Sequence, residues 1–272
     1  MTAGRLKIGV FDSGFGGLTV LRALLPLLPG AEFLYLGDTA RLPYGSKSRA
    51  TIVRYALSST RFLLDQGADF LVIACNTASA LALKEIRGST TVPVLGVIET
   101  GASEAAAWSK TREILVIGTD ATITSHAYAA ACRERGLRAL EKACPLLVPL
   151  VEEGWVDHPV TAEVIRIYLT ELLLQAQEAD LDPDTLVLGC THYPLLRPLM
   201  EAAVSPAMRV IDSAEATAGQ AARMLAGHSG LTGGSVCRCR FFATDSVAKF
   251  QRLGASFLGS AIGEVELVDL GG

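Results

Sequence analysis

Cys75 and Cys190 each close a short apolar run and open onto polar residues, in LVIACNTASA and TLVLGCTHYPLL. Leu71 to Cys75 is apolar or small and rich in β-branching, which fits a buried parallel strand, and Asn76, Thr77 and Ser79 then open an Ala/Leu-rich segment of helical character. Leu186 to Cys190 repeats the pattern, followed by Thr191 and His192, with Pro194 in a first helical turn. Each thiol is therefore expected at a strand's carboxyl end, facing a helix start. Free N–H groups and the helix dipole favour negative charge there, which predicts a thiol pKa below its reference of about 8.5 and donors for a bound carboxylate. Inverting a stereocentre needs two acid/base groups on opposite faces of one carbon, since a single base returns the proton where it came from. A thiol can serve on either face. A lone cysteine ending an apolar strand is most often core filler, and a lone histidine most often a cap or surface group. The repeated contexts Cys-Asn-Thr and Cys-Thr-His shift both readings toward chemistry.

The elements that must position these residues alternate between strand and helix. Lys7 to Phe11 reads as a strand with Asp12 and Ser13 at its carboxyl end, and GFGG then leads into an apolar-periodic helix. Phe33 to Leu36 is a second strand, followed by the polar loop ARLPYGSKS with its turn residues Pro43 and Gly45. Ile52, Val53, Ala56, Leu57, Thr60, Leu63 and Leu64 mark one buried face of a helix over 48–66, and Gly67 ends it. After the Cys75 strand and its helix, Pro93 to Val97 completes the run. The pattern then restarts: Glu113 to Ile117 is a strand ending in Gly118-Thr119-Asp120, followed by a helix toward Arg135. Leu146 to Val148 reads as a short strand, 162–177 as an amphipathic helix, and the strand to Cys190 follows. This suggests an internal duplication. A strand in RVID, a helix through Leu225, a Gly/Ser/Thr-rich loop over 227–235 and a last α/β stretch form the tail. The expected fold is α/β: two similar domains with mainly parallel sheets and the active site in the cleft between them. Residues 1–97 plus 208–272 are expected to form a discontinuous first domain and 98–207 the second.

Composition narrows the function classes. A chain of 272 residues buries roughly three quarters of its unfolded surface, and half of these residues are hydrophobic. The formal charge of −4, with scattered rather than striped basic residues, disfavours a nucleic-acid binder. No apolar stretch reaches the roughly eighteen residues of a membrane span. The N-terminus lacks a signal-peptide pattern, and six cysteines without a secretion signal point to reduced thiols in a cytoplasm. DSGFGG lacks the spacing of a dinucleotide loop, GSKS fails as a phosphate loop, and Cys237-Arg238-Cys239 lacks a second ligand pair for zinc.

In IGVFDSGFGGLTVL, YLGDTARLPYGSKS, ACNTASA, PLVEEGW, LGCTHYPLL and RFFATDSVAKFQRLGASFLG, nearly the whole chain resembles the cofactor-independent aspartate/glutamate racemase family, its glutamate racemases above all. The resemblance implies that Cys75 and Cys190 are the catalytic acid/bases, with Asp12 near Cys75, His192 near Cys190, and Glu152 assisting. It also implies that Asp12, Ser13, Tyr44, Gly45, Asn76, Thr77, Thr191 and His192 line the substrate site. The reaction it implies interconverts L- and D-glutamate for cell-wall peptidoglycan, with no pyridoxal, no other cofactor and no metal. Without the resemblance, Glu152 is equally well a solvated loop carboxylate, with Glu153 as its neighbour. Aspartate or a hydantoin as substrate, or a small-ligand or nucleotide-binding regulator with inert thiols, are the competing readings. Oligomeric state stays open, a homodimer included, as do activation by a cell-wall precursor and the role of Cys237 and Cys239.

Overall fold

The computed structural model describes residues 5–228, 231 and 237–271. In chain order the elements are β1 (Lys7–Asp12), α1 (Leu18–Leu24), β2 (Glu32–Gly37), α2 (Arg49–Asp65), β3 (Phe70–Ile73), α3 (Asn76–Gly88), β4 (Val94–Gly96), α4 (Val97–Trp108), β5 (Glu113–Gly118), α5 (Asp120–Thr124) and α6 (Ala127–Arg133). They continue with β6 (Arg138–Ala143), α7 (Leu147–Glu152), α8 (Pro159–Glu178), β7 (Thr185–Gly189), α9 (Arg197–Ala203), β8 (Arg209–Asp212), α10 (Ser213–Met224), β9 (Arg238–Ala243), α11 (Val247–Leu258) and β10 (Val265–Leu267). Single 3-10 turns occupy Tyr44–Ser46 and Tyr193–Leu196.

The strands form two sheets, ordered β10-β9-β2-β1-β3-β4 and β6-β5-β7-β8, and every pairing is parallel. Strands such as β3 and β7 are buried along their whole length because helices cover both sheet faces, which is why they read as unbroken apolar runs. The duplication is visible in the topology. β2-β1-β3-β4 and β6-β5-β7-β8 share one order, in which the first strand of each unit lies between its second and third. In that order the chain reverses direction across the sheet beside the first strand, and ligands bind at the strands' carboxyl ends there. Cys75 follows the third strand of one unit and Cys190 the third strand of the other.

The tail departs from the expectation that it returns at 208. β8 pairs with β7, so the chain leaves the second sheet only after Asp212 and rejoins the first at β9, between β2 and β10. Most of the Gly/Ser/Thr-rich loop over 227–235 lies outside the described residues. The expected strand at Leu146–Val148 is instead the start of helix α7, and the edge strand β6 lies just before it. One apolar cluster runs without a break from Phe15, Leu18 and Phe250 of the first lobe to Leu186, Tyr193 and Leu196 of the second. Separate clusters cover the far face of each sheet. Helices α1, α4 and α10 pack together where the chain crosses between sheets. Among the described residues no helix is long and apolar enough to cross a membrane.

Candidate active site

A cavity of about 360 Å³ opens between the two sheets, and both cysteines line it. Its wall comes from the carboxyl ends of β1, β3, β5 and β7, through Ser13, Cys75, Thr119 and Cys190. Leu42, Pro43, Pro145, Val148 and Pro149 supply apolar surface. Among the described residues no lysine or arginine lines it, so a bound carboxylate would meet hydroxyls, an amide and backbone N–H groups.

Cys75 takes the N-cap position of α3, where its Sγ accepts from Ala78 N at 3.4 Å and satisfies one of the helix's orphan donors. The same sulfur donates to Ser13 Oγ at 3.4 Å. The expected lowering of this thiol does not occur: burial pushes it up to about 12, the Asp12 carboxyl adds to the rise, and the contacts with Ser13 and Ala78 offset only part of it. Desolvation of a residue only 5% exposed outweighs one long N–H contact, so the resting Cys75 is a protonated thiol.

Asp12 ends β1 and is fully buried. Its Oδ2 accepts from Gly14 N at 2.9 Å, while Oδ1 has no hydrogen-bond partner among the described residues. Burial raises this carboxyl; the charge of His192 and the backbone N–H groups of Gly17, Gly14 and Ser13 oppose the rise without cancelling it. Asp12 does not line the cavity. It lies one layer behind, where its charge acts on Cys75.

On the opposite wall, Cys190 Sγ lies 4.0 Å from His192 Nδ1, and His192 Nε2 lies 3.3 Å from Glu152 Oε1. Lys249 Nζ from α11 reaches Glu152 Oε2 at 3.4 Å, and Phe257 of the same helix meets the imidazole edge-on at 5.0 Å. Burial alone would depress the imidazole, but hydrogen bonds to Cys190 and Glu152, and their charge, hold it up at about 10. Burial opposes ionisation of Glu152, yet its bond to His192 and the charges of His192 and Lys249 leave its carboxyl below the usual range. The wall at Cys190 thus carries an imidazolium, whereas Cys75 has a carboxyl behind it. A thiolate formed at Cys75 is strongly basic.

The remaining expected residues gather around the same space. Asn76 and Thr77 form the first turn of α3, and Thr77 Oγ1 shares hydrogen bonds with Thr119 Oγ1 (3.1 Å) and Thr122 Oγ1 (3.3 Å) of the second lobe. Tyr44 and Gly45 lie in a loop pinned from below: the Tyr44 hydroxyl donates to the buried Asp38, which also accepts from Arg41 Nε at 2.9 Å and Thr244 Oγ1 at 3.0 Å. Thr191 and His192 abut the glycine turn before α1, and Thr19 Oγ1 lies 3.2 Å from the Thr191 carbonyl. Glu152 is on the wall and so is Glu153. Thr119 and Asp120 line the cavity without having been singled out from sequence. The repeat contained the signal, since they end the first strand of the second unit as Asp12 and Ser13 end that of the first. Cys237 donates to the Leu25 carbonyl at 3.3 Å, and neither it nor Cys239 lines the cavity.

Residues 16–221 match the family described as Asp/Glu/Hydantoin racemase. A glutamate racemase of Koribacter versatilis is 53% identical across the full length of both chains. Among solved structures, glutamate racemase isoform RacE1 of Bacillus anthracis superposes with a TM-score of 0.90 at 36% identity, covering 99% of each chain. Glutamate racemase of Francisella tularensis in complex with D-glutamate superposes with a TM-score of 0.88 at 34% identity, covering 98% of each chain.

Proposed function

Because the chain belongs to the Asp/Glu/hydantoin racemase family, we propose that it interconverts L- and D-glutamate, with Cys75 and Cys190 as the two acid/base groups. The observation that carries this reading is the cavity itself. Two sulfurs, each following the third strand of a repeated unit, open on one ligand-sized space from opposite sheets. The Francisella tularensis relative holds D-glutamate.

In one direction a Cys190 thiolate, beside the His192 imidazolium, removes the α-proton from one face of the substrate. The Cys75 thiol then gives its proton to the opposite face. The enzyme is left with a thiol at Cys190 and a thiolate at Cys75, and the reverse reaction starts from that state. Asp12 keeps the Cys75 sulfur basic, and Glu152 keeps the imidazole charged; both act through the thiols. Ser13, Tyr44, Gly45, Asn76, Thr77, Thr191 and His192 surround the ligand. The first turn of α3 supplies N–H donors for charge that develops on the substrate carboxylate as the proton leaves, a stabilisation on the order of several kcal/mol. Low exposure of both cysteines, 5% and 6%, limits the access of water to the carbanion. The product D-glutamate is proposed to supply peptidoglycan, and the enzyme to act in the cytoplasm. The functional units are two lobes, one on each sheet.

The test is α-proton exchange in deuterated water, followed by NMR for L- and D-glutamate and for both aspartates. Wild type should exchange and racemise glutamate; exchange with aspartate alone would overturn the substrate. Cys75→Ser and Cys190→Ser should each abolish racemisation while leaving slow exchange from one enantiomer, a different one for each variant. Because the equilibrium constant between enantiomers is unity, kcat/KM falls equally in both directions, so only exchange reads the two faces separately. Equal residual exchange from both enantiomers in either variant would overturn the assignment of one face to each thiol.

A further inference from the structure

We propose that Tyr128 is a positioning residue for this reaction: it holds the side-chain amide of Asn76 with its Nδ2 turned to the ligand, so that the site requires a carboxylate acceptor at that point. The inference rests on the glutamate reading above and adds a residue that does not itself line the cavity. Tyr128 comes from α6 in the second lobe and is fully buried. Two neighbours without side chains pack closely against it: a Cβ on Gly189 would stand 3.0 Å from the ring and one on Gly101 3.3 Å from the hydroxyl. The hydroxyl crosses to the first lobe and donates to Asn76 Oδ1 at 2.7 Å. Burial holds the phenol far above its ordinary range, so at any working pH it keeps the proton that it donates to Asn76, and the side chain of Ser213 hydrogen-bonds the same hydroxyl.

The consequence falls on Asn76, which adjoins Cys75 and lines the cavity. With Oδ1 committed to the phenol, Nδ2 keeps both of its N–H donors, and among the described residues it is buried without a hydrogen-bond partner. A buried donor left unpaired is costly, and a ligand carboxylate oxygen removes that cost. Without the phenol the planar amide can turn over and present its carbonyl oxygen to the carboxylate, which repels it. Tyr128 thereby sets the polarity of the contact that a substrate's acid group must match.

The experiment is Tyr128→Phe, which keeps the ring and removes the hydroxyl, combined with Asn76→Ala in a double-mutant cycle. Loss of one neutral hydrogen bond predicts a rise in KM for both glutamate enantiomers of about 3- to 10-fold, with kcat lowered less than about threefold. In the Asn76→Ala background, Tyr128→Phe should change KM by less than about 1.5-fold, because the amide it orients is gone. Full additivity of the two substitutions, or an unchanged KM with only a lower melting temperature, would overturn the proposal and leave Tyr128 as packing. A second measurement uses the unaltered chain. The Asn76 side-chain amide resonances, assigned by their loss in Asn76→Ala, should shift when D-glutamate saturates the enzyme, and their indifference would likewise overturn it. Wild-type turnover keeps the two readings apart: absence of glutamate exchange there defeats the substrate assignment, whereas an inert Tyr128→Phe in an active enzyme defeats only this one.

Discussion

Gly16→Ala tests how closely the two lobes must approach for the chemistry to proceed. A Cβ at Gly16 would stand 2.2 Å from Thr191 Oγ1 and 2.6 Å from His192 Nδ1, against a closest tolerated approach of 3.0 Å. The two atoms must therefore retreat by 0.8 Å (3.0 − 2.2) and 0.4 Å (3.0 − 2.6). Neither retreat is easy. The Thr191 hydroxyl sits on a short β-branched side chain, and the His192 ring is held between Phe257 and Glu152. Overpacking of this kind costs about 1–3 kcal/mol, offset in part by about 0.4–1 kcal/mol from a less flexible unfolded chain. A net loss of roughly 1–2 kcal/mol lowers the melting temperature by about 2–8 °C in a chain of this size. Activity should suffer more than stability. The displaced residues adjoin Cys190, and a misplacement approaching 1 Å costs on the order of 10–100-fold in rate. Circular dichroism of the amino acid follows racemisation, and differential scanning calorimetry follows stability. Gly88→Ala is the control, since a Cβ there meets nothing within 4 Å; it should leave turnover unchanged. If Gly16→Ala keeps kcat within about threefold of wild type, the close fit of the glycine turn against Thr191 and His192 is not what holds Cys190 in place.

Two further outcomes follow from the electrostatics and the caps. His192 is held up at about 10 from an ordinary 6.5, so its contribution to stability is complete below pH 6.5 and is lost as pH rises to about 10. Cys75, raised from 9.0 to about 12, acts in the same sense from pH 9 upward. The melting temperature should therefore fall between pH 6.5 and 10, and Glu152→Gln, which removes one cause of the His192 shift, should flatten that fall; superimposable profiles would refute the coupling. Asp212 caps α10, with Oδ1 accepting from Ala214 N at 2.9 Å and Glu215 N at 3.2 Å, and its other oxygen pairs with Arg197 at 2.5 Å. Asp212→Ala should cost about 1–2 kcal/mol in urea unfolding with activity retained, and a loss below about 0.3 kcal/mol would refute the cap's contribution.

Much of this arrangement was legible in the residues. Strand ends at Asp12, Cys75, Thr119 and Cys190 follow from apolar runs cut by polar turns, and α2 from the spacing of Ile52, Ala56 and Leu63. What escaped depends on contacts distant in sequence. RALEKA has no apolar run to mark it as a strand, but pairing with β5 makes it an edge strand that stays partly exposed along its length. The apolar run before Glu152 reads as strand and folds as α7, because length and periodicity cannot separate the two in so short a stretch. The sheet that receives β8 is set by pairing, which composition does not encode. The Cys75 proton affinity reversed the expectation for a similar reason. Helix-start geometry is local and visible, whereas burial and the neighbouring Asp12, 63 positions away (75 − 12), are not. Tyr128 carries no motif at all; only the folded chain brings its hydroxyl to Asn76.

No backbone ladder connects the two sulfurs. Each follows a strand of its own sheet, and the packing of α1, α4 and α10 at the crossing, together with the Thr77–Thr119 contact, joins the two halves. That seam works as a gauge for the reacting gap. A side chain enlarged or shaved there, remote from any ligand atom, changes the separation of donor and acceptor while both proton carriers and their partners stay chemically intact. Natural variation in turnover can therefore accumulate in a buried joint that no inspection of the pocket wall would single out.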